Sequence, residues 1–88
     1  MELYWREHKL GLRLMLLDGD KETEVGLLRR TPRGFDAMAT TAGYNPGRAL
    51  KDIKDIKEAQ SFVESFSPWT EFGGTEELVV DPEVRPKL

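Results

Sequence analysis

The sequence predicts a small α+β domain, an antiparallel β-meander of three to four strands packed against one C-terminal α-helix, with an extended C-terminal tail. Three observations predict it. Leucine recurs at every second position over residues 10–17, turn-forming clusters punctuate the residues that follow, and a single helical stripe comes after them.

Over residues 10–17 the alternation puts Leu10, Leu12, Leu14 and Leu16 on one face and turns Arg13 to the other. Asp18, Gly19 and Asp20 then break the apolar pattern with residues that tolerate positive φ, which reads as a hairpin connection. A second strand follows over residues 23–30, with Val25 and Leu27 on one face. Thr31, Pro32, Arg33 and Gly34 form the next turn, because proline presets φ for the second turn position and glycine closes it. In the third strand, residues 35–41, Phe35, Ala37 and Ala39 alternate against Asp36, Met38 and Thr40. Residues 3–7 add a short fourth strand.

Tyr44, Asn45, Pro46 and Gly47 end the meander as a turn. Residues 49–54 read as an extended stretch or a short separate turn, because a helix started there would scatter Leu50, Ile53, Ile56, Ala59 and Phe62 around its circumference. Started at Asp55, the helix gathers Ile56, Ala59, Val63 and Phe66 into one arc. Asp55 and Glu58 also make an acidic N-cap pair resembling a capping box. Ser67 and Pro68 stop the helix. Residues 77–80 are expected as a last short strand at a sheet edge, open to pairing with its copy in a homodimer. One domain over residues 1–80 results. Residues 81–88, which alternate proline with charge, are expected to be a loosely ordered tail.

A chain of 88 residues removes only about 60–65% of its unfolded surface from water on folding, so a deep cavity is hard to spare. Its 39% hydrophobic and 33% charged residues and its mean hydropathy of −0.52 are those of an ordinary globular protein. No cysteine is present, which excludes disulfides, thiolate zinc sites and a cysteine nucleophile. The mixed charges of the first residues lack the apolar run of a signal peptide, and no stretch of about 18 apolar residues suits a bilayer, so a cytoplasmic location without membrane contact is expected.

His8 is the sole histidine, and neither a nucleophile elbow nor a phosphate-cradling glycine loop occurs. Asp18, Asp20, Glu22 and Glu24 are spaced by two as in a calcium loop, but glycine stands second instead of sixth and the twelfth position is Arg29. These residues read as a solvated hairpin tip. The expectation is a protein that is not an enzyme and carries no cofactor and no metal.

Charge is unevenly distributed: residues 1–54 carry a net +2 and residues 55–88 a net −5. Arg29, Arg30 and Arg33 bracket the second turn, with Arg48, Lys51 and Lys54 further on. Guanidinium forks suit phosphates and the acidic patch of a protein alike, while Asp36 and Glu24 offer local pairing. Trp5, Tyr44, Trp69 and Phe72 are large rings outside the clearest core positions; they either fill the space between sheet and helix or, at Trp69 and Phe72, serve as exposed anchors.

The run from Glu24 onward, strand, turn, strand and then a helix, with Gly34, Phe35, Ala37, Ala59, Phe62 and Val63 as its fold residues, resembles the three-strand-plus-helix domains at the N-termini of phage-type integrases. It is also similar to many small phage and mobile-element proteins. The resemblance implies DNA contact through the sheet face by Arg13, Arg29, Arg30 and Arg33. The functional expectation is a non-enzymatic interaction protein, an accessory factor of phage or mobile-element type. It would bind a protein partner through Arg29, Arg30, Arg33, Trp69 and Phe72, with weak nucleic-acid binding as the alternative, disfavoured by the pI of 5.1.

Overall fold

A computed structural model describes residues 1–41, 43 and 46–88; the turn and ring expectations at Tyr44 and Asn45 lie outside the described residues. The fold is α+β. Five strands, β1 (Glu2–His8), β2 (Gly11–Asp18), β3 (Lys21–Thr31), β4 (Gly34–Ala39) and β5 (Ala49–Ile53), form one antiparallel sheet in the order β1-β2-β3-β4-β5, followed by a helix, α1 (Ile56–Glu64). The expectation of three to four strands is therefore corrected to five. Residues 3–7 lie within a full-length β1, and the extended stretch at residues 49–54 holds β5.

The leucine alternation of β2 works as expected at Leu12, Leu14 and Leu16, which are buried, while Leu10 sits at the β1–β2 turn and is 52% exposed. In β3 the expected pairing of Val25 with Leu27 is wrong. The register with β2 shifts between Leu14 and Met15, opposite Gly26 and Glu24, which leaves Val25 as an extra residue. Such a bulge resets the inside–outside alternation, so Val25 and Leu28 are both fully buried and Leu27 is not.

Asp55 caps α1 as its spacing predicts, its side chain accepting from the Glu58 N–H at 3.3 Å. Ala59 and Val63 are fully buried on the sheet, with Ile56, Phe62 and Phe66 half-buried around them. The close approach of α1 to the sheet depends on Gly26, where a Cβ would lie 2.5 Å from Val63 Cγ1. The helix ends a little before Ser67 and Pro68. Ser67 takes a left-handed φ of 45°, and Pro68–Phe72 form a 3₁₀ turn that the sequence reading did not contain.

The chain beyond that turn returns to β1. Val80 bridges Leu3 in parallel, Arg85 bridges Arg6, and three backbone bonds tie the segment down: Asp81 N–H to the Leu3 carbonyl (2.8 Å), Arg85 N–H to that of Trp5 (2.8 Å) and Glu7 N–H to that of Arg85 (2.9 Å). Residues 81–88, expected to hang loosely, thus include a strap along the edge of β1. Val80, the end of the segment expected to offer an edge to a second copy, is already taken up by Leu3. The edge with no paired neighbour among the described residues is the outer side of β5.

Two glycines test this geometry differently. Gly34 holds a φ of +137°, and a Cβ there would lie 2.3 Å from the Ile53 carbonyl oxygen, whereas Gly19 at φ +64° has open space around it. Gly34→Ala is expected to destabilise by roughly 3 kcal/mol or more, from backbone strain plus a clash with β5. Gly19→Ala should cost about 1 kcal/mol, from the left-handed backbone alone. Urea unfolding of both variants gives the comparison, and equal losses would contradict the close β4–β5 approach.

Candidate functional site

Consecutive residues of a strand point to opposite sides of the sheet, so Arg29 and Arg30 cannot act as one patch. Arg29 shares the side not covered by α1 with Arg6 and Arg13. Each of these has a carboxylate: Arg29 meets Asp36 at 3.1 Å, Arg6 meets Glu22 at 2.7 Å, and Arg13 Nε lies 2.9 Å from Glu24 in an ion pair whose angle makes no hydrogen bond. Arg13 also bonds His8 at 2.8 Å. The pairs explain why Arg6 and Arg13, directly opposite each other on β1 and β2, are tolerated.

Beside them, Tyr4 is buried under the guanidinium groups of Arg85 (3.9 Å) and Arg6 (5.0 Å), and its hydroxyl donates to Glu22. That hydrogen bond, helped by the Arg6 charge, holds the Glu22 carboxyl below its ordinary value, while burial and then the same bond push the Tyr4 hydroxyl up. The Arg29 bond similarly lowers Asp36. The open side is largely self-neutralised, with Leu27 and the 43% exposed Met38 between its charges.

Arg30 and Arg33 differ from Arg29. Arg30 is exposed, and its side chain makes no ion pair or hydrogen bond among the described residues. The Arg33 side chain, at the tip of the turn, is 79% exposed and reaches Asp52 only at 3.9 Å. Lys54 Nζ donates to the Arg33 carbonyl at 2.6 Å, drawing a second cation to the corner. The register between β4 and β5 shifts between Phe35 and Ala37, and Asp52 in the bulge has a left-handed φ of 59°. Asp36 supports that conformation by accepting from the Asp52 N–H at 3.3 Å. A left-handed non-glycine residue costs about 1–2 kcal/mol.

This bulge separates two surface grooves. On the open side a depression of about 270 Å³ is lined by Thr31, Pro32, Arg33, Asp36, Lys51 and Asp52. On the helix side a larger groove of about 560 Å³ runs between β5 and α1, with Leu50, Ile53 and Phe62 as its apolar wall. Leu50 is 49% exposed there.

Trp69 is corrected as an exposed anchor. It is only 4% exposed, belongs to the main core cluster, and its Nε1–H donates to the Thr75 carbonyl at 2.9 Å. Phe72 is half-buried against the same core. Trp5 is buried too, its Nε1–H donating to Glu64 at 2.8 Å and so joining β1 to α1. The rings fill the interior because a domain this small has few other large apolar groups to do so.

The structure thus brings Arg33 together with Lys51 and Lys54, residues outside the predicted partner set, and separates Arg29, Trp69 and Phe72 from them. Leu50 and Lys51 were missed as site residues; the signal for them was an apolar residue in an extended stretch followed by charge. Among the described residues no cluster of three or more His, Asp or Glu could hold a metal ion. Nor is any helix among them long and apolar enough to cross a membrane. No family model, curated protein or solved structure matches the chain.

The lowered carboxyls have a consequence for stability. A carboxylate whose value falls on folding stabilises fully above its unfolded value and loses that contribution as pH falls through the folded one. With ordinary values of 4.5 for Glu22 and 3.8 for Asp36, stability should hold from neutral pH to about 5 and then decline. Glu22→Gln is expected to flatten the decline in thermal melts taken from pH 7 to 3. An unchanged acid limb would show that the Tyr4–Glu22–Arg6 group contributes nothing.

Proposed function

We propose that this chain is a non-enzymatic interaction domain that binds a protein partner through the basic corner made by Arg33, Lys51 and Lys54, with the exposed Arg30 on the helix side of the same end of the sheet. The observation that carries this reading is the contrast between the arginines. Those on the open sheet side are matched by carboxylates at 2.7–3.1 Å, whereas among the described residues Arg30 has no such partner and Arg33 reaches Asp52 only at 3.9 Å. Unmatched guanidinium groups beside an exposed leucine combine the charge and apolar contact on which protein interfaces concentrate their binding energy. Arg29, held by Asp36, and Phe72, half-buried against the core, are not part of this surface.

The matched pairs on the sheet face also bear on nucleic-acid binding. Arg13 and Arg29 would have to leave Glu24 and Asp36 to reach phosphates, and net charge at the chain level is −3. A phage or mobile-element accessory role is the setting suggested by the strand, turn, strand and helix pattern.

The test is a comparative pull-down from nuclease-treated lysate, with the double variant Arg30→Glu and Arg33→Glu beside Glu76→Lys as a distant charge control. The reading expects specific proteins to be lost from the double variant, retained by the control, and weakened by raising salt. Equal recovery by all three proteins contradicts it. Steeply salt-dependent binding of duplex or single-stranded DNA, abolished by Arg13→Ala and Arg29→Ala, would replace it with the nucleic-acid alternative.

A further inference from the structure

The two grooves flank a single feature, the outer edge of β5, and they differ in chemistry. A strand laid against that edge would send alternate side chains into the two grooves, because successive residues of a strand point to opposite sides. On the helix side those side chains would meet the apolar wall of Leu50, Ile53 and Phe62, rimmed by Lys54 and Glu58. On the open side they would meet Arg33 and Lys51, with Asp36 and Asp52 beside them. We propose that the β5 edge accepts an extended segment of another protein as a sixth strand, one in which apolar residues alternate with acidic ones. This rests on the interaction-domain reading and names the partner's chemistry.

Three observations support it. The opposite edge of the sheet is closed by the chain's own residues 80–85, so strand addition is already in use in this fold and only β5 is left without a paired neighbour among the described residues. Leu50 is the one large apolar side chain of β5 exposed to nearly half its area, and it borders the larger groove. The corner keeps an excess of positive charge for an acidic segment: Asp36 is engaged by Arg29 and by the Asp52 N–H, which leaves Asp52, 3.9 Å from Arg33, against the charges of Arg33, Lys51 and Lys54.

The bulge at Asp52 fits the same reading. Bulges and lysines on edge strands discourage pairing with arbitrary strands. Lys51 and Arg33 repel a basic strand and welcome an acidic one, so the edge is selective instead of closed. Main-chain bonds to β5 would supply affinity and the two grooves the choice of sequence, as in other cases of strand addition.

The experiment uses fluorescein-labelled heptapeptides of alternating valine and glutamate, of alternating valine and lysine, and of valine and glutamate in blocks, titrated against the full chain by anisotropy. The alternating acidic peptide is expected to bind about tenfold tighter than either other peptide. Leu50→Asp and Lys51→Glu should each weaken it by about tenfold, Leu50→Ser less so, and Met38→Ser not at all. Amide chemical shifts on adding the peptide should move over residues 49–53.

Equal affinity for the acidic and basic peptides, no measurable binding of any peptide, or indifference to both Leu50 variants overturns the proposal. Shifts confined to Leu27, Met38 and their neighbours also overturn it, while leaving an interaction domain that uses its open sheet side. Sedimentation showing a dimer that Leu50→Asp converts to monomer would assign the edge to self-association and equally overturn it. None of these outcomes decides the pull-down comparison, which tests the broader reading by itself.

Discussion

A five-stranded sheet has two sides and two edges, and among the described residues one α-helix, one 3₁₀ turn and one C-terminal segment cover them. That shortage of covering elements is the constraint from which the rest follows. The helix takes one side, held close by the absence of a side chain at Gly26, where Val63 fills the space a Cβ would need. Trp5 and Trp69 fill the flanks of that layer, each with its indole N–H satisfied, so that large rings are buried without stranding a donor. The tail takes the β1 edge. One side and one edge are left to solvent.

The open side is managed by charge. Arginines and carboxylates alternate across β1 to β4 in pairs, and Tyr4 is sealed under two guanidinium groups. Exposed pairs of this kind contribute little stability, but they keep an uncovered sheet face hydrated and short of a continuous apolar patch. The open edge is managed differently, by a bulge, a left-handed Asp52 and two lysines. Both devices leave a specific residue of unmatched chemistry at the same corner, and the functional reading rests there.

Much of the fold was legible because its signals are local. The leucine period of β2, the Pro32–Gly34 turn and the Asp55 cap each need only a few neighbouring residues to be recognised, and each lies where its pattern placed it. What was not legible depends on register between distant segments. A bulge opposite Leu14 moved the inward position from Leu27 to Leu28, and nothing in residues 23–30 alone announces it. The strap at residues 80–85 looks disordered by composition, because its prolines and charges are compatible with an edge position only once β1 is known to be an edge. The arginine cluster divides in space because a strand sends Arg29 and Arg30 to opposite sides, and Arg29 takes the local pairing with Asp36 that its neighbourhood in sequence offered.

The central claim is an asymmetry of edges, β1 closed by the chain's own tail and β5 open, and native-state amide hydrogen exchange addresses it most directly. The account predicts that the amides of Glu7, Asp81 and Arg85 exchange slowly, with protection approaching that of the central strands, while amides of Ala49–Ile53 directed away from β4 exchange fast. Fast exchange at Asp81 and Arg85, or uniform protection along β5 in the isolated monomer, would contradict it.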